Sequence, residues 1–230
     1  MNLFSSAVLL ALLVFAWRAA MRALDRAAGA DWGGKWVNRI DGLNRIFCRR
    51  WHRLSAECLP LPESGPALLV ANHISGLDPL LLIAASRRPL RFIIAKEQYH
   101  RFGLEWLFRA AGCIPVDRSE RPERAFREAL RVLKAGEVVA LFPHGKIHLD
   151  TDPPRPLKQG VARFAHLAKI PVHAARIEGV AGRGEVVKAV FLRGHARVSG
   201  AILVPCHELA THECLERVAA IIENRAPGSS

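Results

Sequence analysis

Cysteine is scarce in this chain, and the few cysteines are scattered. Five are present, with no CxxC spacing among them: Cys48, Cys58, Cys113, Cys206 and Cys214. An odd number of scattered cysteines argues against a disulfide framework and against a zinc site built from thiolates. This cysteine usage suits a reducing compartment.

Acidic residues are also few, 21 against 33 lysines and arginines, which gives a formal net charge of +12 in 230 residues. Such an excess indicates an anionic partner: nucleic acid, an anionic membrane surface, or a phosphorylated or CoA-like ligand. The chain has no recognised nucleic-acid module, and many basic residues follow an apolar N-terminal run. We therefore expect membrane lipids as partners and no nucleic acid. Half of the residues are apolar, which excludes overall disorder.

The N-terminal residues 3–17 carry no charge and are mostly Leu, Ala, Val and Phe. A helix of this length is about 22 Å long, short of a hydrocarbon core of roughly 30 Å. Positive charge follows this run instead of preceding it, at Arg18 and Arg22, which disfavours a cleaved signal peptide. An uncleaved anchor, a half-inserted helix and a buried core helix stay open. The positive-inside rule predicts that the rest of the chain faces the cytoplasm from the inner membrane.

A second apolar pattern has helical spacing: Trp36, Ile40, Leu43, Phe47 and Leu54. Arginines surround it, so it is either a basic helix lying on an anionic interface or an amphipathic helix packed on the folded domain, and the two are compatible. We predict a membrane anchor and basic amphipathic helix over residues 1–59, a catalytic domain over 60–226, and a frayed tail over 227–230.

From residue 67 onward, short apolar runs alternate with amphipathic segments. Predicted strands cover residues 67–71, 91–95, 113–116, 138–142 and 171–177. Predicted helices cover 80–85, 100–111, 122–135, 158–169 and 207–224, and 186–192 with 196–204 is predicted as a hairpin. This alternation predicts an α/β fold, a mostly parallel central sheet flanked by helices, with N-terminal membrane-associated helices.

One polar turn follows the first buried strand, with the sequence Ala-Asn-His-Ile-Ser-Gly-Leu-Asp-Pro over residues 71–79. Active sites of open α/β sheets lie outside the carboxyl ends of the strands. His73 can act there as a general base, and a turn through Gly76 can bring Asp78 back to orient its ring.

The turn resembles the HxxxxD motif, here as NHxSxxD, of the glycerolipid acyltransferase family, the lysophosphatidic acid acyltransferases and their relatives. Three further blocks follow in the order of that family. They are Gly-Cys-Ile-Pro-Val-Asp-Arg at 112–118, Phe-Pro-His-Gly at 142–145, and Lys-Gln-Gly at 158–160 with Ile-Pro-Val at 170–172. The resemblance covers roughly residues 65–180 and implies a glycerol-3-phosphate acyltransferase-like fold.

The resemblance implies acyl transfer from acyl-CoA or acyl-carrier protein, as co-substrate, to a hydroxyl of a lysolipid, with lysophosphatidic acid to phosphatidic acid as the first expectation. No cofactor is expected. His73 and Asp78 would be catalytic. The implied substrate-binding residues are Arg118, Lys146, Lys158, Gly145, His144, Asn72 and Ser75. Two alternatives stay open: a non-catalytic lipid-binding protein on the same fold, and a thioester hydrolase that uses the same histidine and aspartate.

The third block departs from the family pattern. His144 stands in place of the usual Glu, Lys146 in place of Thr, and Ile147 in place of Arg. Either Lys146 and Lys158 supply the missing positive charge, or the acceptor is another lysolipid, with a larger headgroup or an amino-acid headgroup such as ornithine. Arg118 is expected to contact the acceptor phosphate or to pair with Asp117 or Glu120.

Two further side-chain sets bear on the chemistry. His144 and His148 have the spacing of a helical metal site, with Asp150 and Asp152 nearby. Gly145 and the prolines at 153, 154 and 156 predict a loop there, so no metal is expected. Cys113 is expected to be a small core residue rather than a nucleophile.

Overall fold

The computed structural model describes residues 3–101, 103–117 and 122–224. The predicted tail, 227–230, lies outside them. The helices are α1 (Leu3–Ala27), α2 (Lys35–Arg50), α3 (Asp78–Ala85), α4 (Lys96–Tyr99), α5 (Glu105–Ala110), α6 (Pro122–Lys134), α7 (Gly160–Ala168), α8 (Lys188–Phe191) and α9 (Thr211–Ile222). The strands are β1 (Ser55–Ala56), β2 (Ala67–Ala71), β3 (Leu90–Ala95), β4 (Ile114–Val116), β5 (Val138–Leu141), β6 (Val172–Glu178) and β7 (Arg197–Val204).

The strands form one sheet in the order β1-β7-β6-β2-β5-β3-β4. β6 and β7 are antiparallel, and the other neighbouring pairs are parallel. This confirms the predicted fold class. The predicted hairpin is wrong, because β7 already has β1 and β6 on its two edges and residues 188–191 form the short helix α8. An apolar run such as Val-Val-Lys-Ala-Val-Phe-Leu has strand composition, but strand propensity depends on context and does not by itself decide that a segment pairs in a sheet.

Two other predictions need correction. The helix predicted over residues 100–111 is divided between α4 and α5, and Gly103 between them has φ +79°, a left-handed conformation that ends a right-handed helix. The cysteines were expected to be unpaired, but Cys206 and Cys214 form a disulfide between the end of β7 and α9. The remaining helices differ from the predicted ones mainly at their ends.

The sheet has a core on each face, because alternate residues of a strand point to opposite sides. On one side, Leu69 of β2 packs with residues of α3, such as Leu81. On the other side, Leu68 and Val70 pack with residues of α6, α7 and α9. Every residue of β2 is buried, as expected for a parallel strand covered by helices on both faces.

The N-terminal helix α1 is longer than the uncharged run that predicted it. Within the described residues, the segment Ser6–Ala27 is long and apolar enough by length and composition to cross a membrane, and none of it is buried against the rest of the chain. Its 22 residues correspond to about 33 Å of helix. The uncharged run ends at Trp17, but the helix continues through Arg18 and Arg22.

The second helix, α2, is packed on the domain through its polar face. Asp41, Arg45 and Cys48 are buried, and Arg45 donates hydrogen bonds to the carbonyl of Ala84 at the end of α3. The apolar residues of the predicted face divide: Phe47 and Leu54 pack, partly buried, against the core, whereas Trp36 is 63% exposed and Leu43 55%. The helix therefore packs on the domain, as one interpretation predicts, and its position on an anionic interface stays a prediction.

Candidate active site

The candidate site lies where parallel strands β2, β3 and β5 end at one edge of the sheet. β2 pairs with β5, and β5 pairs with β3, all in the same direction. Two loops therefore leave the sheet side by side: the HxxxxD turn, residues 72–77 before α3, and the third-block loop, residues 142–150 after β5. In open parallel sheets, active sites lie at this carboxyl edge.

The HxxxxD turn is organised around the buried carboxylate of Asp78. Oδ2 of Asp78 lies 2.8 Å from Nδ1 of His73 and accepts the backbone N–H of Ile74 at 2.6 Å and that of Ser75 at 2.8 Å. Because an ionised carboxylate only accepts, we assign the ring proton of His73 to Nδ1. Nε2 then carries the lone pair that a general base needs.

Ser75 and Asn72 are occupied inside the protein. The hydroxyl of Ser75 donates to Oδ1 of Asp78 at 2.7 Å and accepts the N–H of Leu77. The side chain of Asn72 donates to the carbonyl of Ile177 at 2.9 Å and accepts the N–H of the same residue at 2.7 Å. These contacts hold the turn and the end of β6 in place, and the substrate contact expected of both residues stays a prediction.

The third-block loop contacts His73 directly. The ring of Phe142 stacks on the imidazole of His73 with centroids 4.1 Å apart and planes 13° apart. The N–H of His148 donates to the carbonyl of His73 at 2.8 Å. The imidazole is 19% exposed, whereas Asp78 is fully buried. A third segment, residues 182–187, closes the other side, since Gly184 donates its N–H to the carbonyl of Ile74 at 2.8 Å.

Gly145 and the two lysines form the accessible part of the third block. Gly145 has φ +74°, in the left-handed region that favours glycine. A Cβ at this position would lie 2.7 Å from Nζ of Lys158, so the loop brings that ammonium against its backbone. Lys146 and Lys158 are both exposed, and they place positive charge at the third-block loop.

His144 does not join this accessible surface, and its predicted contact with the acceptor stays a prediction. Its side chain is 1% exposed, and its Nε2 lies 3.0 Å from Oε1 of Glu223, just past the end of α9. Burial lowers the pKa of His144. The rings of His144 and His148 have centroids 4.3 Å apart. No local sequence pattern points to Glu223, because it lies 79 residues from its partner.

Two other predicted residues have different outcomes. Arg118 lies outside the described residues, so its contact with the acceptor phosphate stays a prediction. Cys113 is partly buried behind the site, and burial raises the pKa of its thiol to about 11. A thiol with so high a pKa is a poor nucleophile near neutral pH, in agreement with the core role expected of it.

Comparisons with known proteins agree with this geometry. The family model described as Acyltransferase matches residues 57–178, which include the HxxxxD turn and the third-block loop. The chain is 32% identical over 136 residues to a probable 1-acyl-sn-glycerol-3-phosphate acyltransferase of Mycoplasma genitalium, covering 56% of this chain and 50% of that protein. It thus spans about half the length of that relative.

A second relative and a solved structure are covered more fully. The 1-acyl-sn-glycerol-3-phosphate acyltransferase of Bacillus subtilis is 25% identical over 166 residues, covering 71% of this chain and 79% of that protein. The crystal structure of the 1-acyl-sn-glycerophosphate (LPA) acyltransferase PlsC from Thermotoga maritima superposes with a TM-score of 0.62 at 20% identity, covering 83% and 79% of the two chains. This structural likeness shows that the fold is shared.

Proposed function

This chain belongs to the acyltransferase family, and on that premise we propose that it transfers a fatty acyl group from a thioester to the hydroxyl of a lysolipid. The observation that carries the proposal is the pairing of His73 with the buried carboxylate of Asp78 at the carboxyl edge of the sheet. Acyl-CoA or acyl-carrier protein is the donor, as co-substrate, and no cofactor is required.

In the proposed reaction, Nε2 of His73 accepts the proton of the acceptor hydroxyl while that oxygen forms a bond to the thioester carbonyl carbon. The C–S bond then breaks, and the same proton passes from His73 to the departing sulfur. Asp78 holds the ring and stabilises the imidazolium that exists between the two steps. Backbone N–H groups of the third-block loop are where we place the donors for the transient oxyanion.

We propose lysophosphatidic acid as the acceptor, in keeping with the activity printed in the names of the bacterial relatives. The exposed ammonium groups of Lys146 and Lys158 are suited to a phosphate monoester, and we retain Arg118 as a further phosphate ligand. The His144–Glu223 contact removes the family's usual acidic position from the surface. The test below must therefore distinguish lysophosphatidic acid from lysolipids with other headgroups.

We further propose that the enzyme acts at the cytoplasmic face of the inner membrane. α1 exposes apolar side chains along its length, among them Leu10, Leu13 and Phe15. Trp36 and Leu43 of α2 are also exposed, and the indole N–H of Trp51 donates to the carbonyl of Phe191, a residue that is itself 70% exposed. Tryptophan beside arginine is typical of a membrane interface.

The test measures free thiol released from acyl-CoA by the purified full-length chain, with single lysolipids supplied in vesicles and none in the control. We expect release with lysophosphatidic acid and its loss in His73→Ala. A matched control is His100→Ala, because His100 pairs with Glu105 at the same five-residue spacing, 3.1 Å apart, on the surface.

Other outcomes would redirect or overturn the proposal. Release with a different lysolipid alone would keep the mechanism and change the acceptor. Thiol release without any lysolipid would identify a hydrolase. No release with acyl-CoA or acyl-carrier protein, from protein that binds vesicles, would overturn the enzymatic proposal in favour of a lipid-binding protein.

A further inference from the structure

Three side chains that can bind a metal converge behind the third-block loop, away from the proposed reacting atoms. One ligand atom from each of His144, His148 and Glu223 lies within 4.8 Å of the other two. The two histidines belong to the loop after β5, whereas Glu223 follows α9 at the far end of the chain. The fold, and not local sequence spacing, brings the three groups together.

Burial distinguishes this cluster from the acidic and histidine groups of the surface. The side chains of His144, His148 and Glu223 are 1%, 7% and 9% exposed. Within the described part of the chain, Nδ1 of His144 has no hydrogen-bond partner. A buried carboxylate and two buried imidazoles are costly to remove from water unless a charge or a ligand compensates them.

A hydrogen bond between His144 and Glu223 accounts for only one contact of this cluster. It leaves His148 stacked beside His144 and leaves the second ring nitrogen of His144 unused. A neutral imidazole has one ring nitrogen with a free lone pair, which is the atom that binds a metal. A cation held by all three side chains would bind both rings and the carboxylate together.

We propose that His144, His148 and Glu223 bind one divalent transition-metal ion, most suitably Zn²⁺. Two imidazole nitrogens and one carboxylate oxygen form a recognised zinc ligand set, whereas Mg²⁺ and Ca²⁺ prefer oxygen ligands alone. Ligand atoms at about 2.1 Å from a tetrahedral ion are roughly 3.4 Å apart. A contraction of the cluster by about 1.5 Å, within reach of side-chain rotation, would therefore complete the site.

The surroundings of His148 fit this assignment. Oδ2 of Asp152 lies 3.5 Å from Nδ1 of His148 without a hydrogen bond between them, and a small side-chain rotation would let the carboxylate orient the ring and leave Nε2 as the ligand. Arg176 donates to the carbonyl of Ile222 and lies 2.9 Å from Asp150, so the end of α9 is fixed to the third-block loop. On binding through Nε2, the ring proton of His144 moves from Nε2 to Nδ1, so the imidazole stays neutral.

The ion would act on the loop and not on the substrate. It would fix the third-block loop, whose Phe142 ring stacks on His73 and whose His148 N–H donates to the His73 carbonyl. The metal site goes beyond the proposed acyl transfer and does not depend on it, because the primary test reads metal content and thermal stability. Failure of either proposal leaves the other measurable.

The test uses the full-length chain in detergent, freed of metal with a chelator and then titrated with Zn²⁺ against a competing fluorescent chelator. We expect one tightly bound Zn²⁺ per chain and a rise in Tm of several degrees, roughly 5 °C or more at 100-fold excess over Kd. His144→Gln, His148→Gln and Glu223→Gln should each lower the affinity by at least about tenfold. His100→Gln, which alters an exposed histidine–glutamate pair, should leave it unchanged.

Co²⁺ provides a measurement on the unaltered protein, in case a variant does not fold. A tetrahedral nitrogen and oxygen site gives visible d–d absorption without a thiolate charge-transfer band. Absence of stoichiometric binding would overturn the proposal. So would a thiolate band, which would place the metal on Cys48, Cys58 or Cys113, and so would Zn²⁺ affinity that is the same in the three variants as in the parent protein.

Discussion

The HxxxxD turn and the third-block loop leave adjacent strands, but different parts of the chain hold them in place. The carboxylate of Asp78 binds groups no more than five residues away. The third-block loop is instead held by residues distant in sequence, since His144 contacts Glu223 and Arg176 joins the loop to the end of α9. The first loop is thus locally determined, and the second depends on the completed fold.

The largest effect should come from the base itself. We expect His73→Ala to lower kcat about 10³- to 10⁴-fold, the contribution typical of general acid–base catalysis. The change should lower Tm only slightly, because the hydrogen bonds of Asp78 to backbone N–H groups remain. Thiol release and thermal unfolding measure the two effects, and wild-type turnover in this variant would remove His73 from the mechanism.

Asp78→Asn should combine a kinetic and a structural loss. Its amide replaces one of two oxygens that accept hydrogen bonds in a fully buried position. We expect about a 10²- to 10³-fold fall in kcat and a loss of about 1–3 kcal/mol in the free energy of unfolding. Denaturant unfolding gives the second quantity, and Ser75→Ala, which removes one hydroxyl from the same network, should show a smaller fall in both. Equal falls would contradict the central position of the carboxylate.

Gly145→Ala tests the loop that depends on the completed fold. Alanine at position 145 would have to adopt the left-handed backbone conformation, φ +74°, that favours glycine. Its Cβ would also displace the ammonium of Lys158. We expect a loss of about 1–2 kcal/mol in stability and a several-fold higher KM for an anionic acceptor, with kcat less affected. The control is Gly160→Ala, where a Cβ meets no atom within 4 Å among the described residues. An unchanged KM would remove Lys158 from acceptor binding.

The smallest effect is expected outside both loops, at Cys113. With a pKa of about 11, about one thiol in a thousand is ionised at pH 8, so alkylation should be slow and should accelerate as the pH rises toward 11. Cys113→Ala should keep full turnover. Mass spectrometry of alkylated protein checks this against Cys58, which is exposed and should react first. Rapid loss of activity that follows alkylation of Cys113 would contradict the prediction.

The same local and long-range division explains what the sequence could predict. The His73–Asp78 pair was predictable because its contacts span one turn, and β2 and β5 because each is a short apolar run. Glu223 was not predictable, since no local pattern relates it to His144. The 186–192 segment was misassigned because composition does not reveal that β7 has both edges occupied. The extent of α1 was underestimated, since arginines end an uncharged run without ending a helix.

The exposed apolar length of α1 has a consequence for how the rate should be measured. An enzyme held in a bilayer meets a lipid acceptor by lateral diffusion, so the acceptor concentration that matters is its mole fraction in the surface. Adding inert phospholipid at constant total acceptor should slow the reaction. Diluting the same vesicles into more buffer should leave the acceptor dependence unchanged, while the dependence on a water-soluble donor follows bulk volume. The rate would thus depend on the surface mole fraction of the acceptor and on the bulk concentration of the donor.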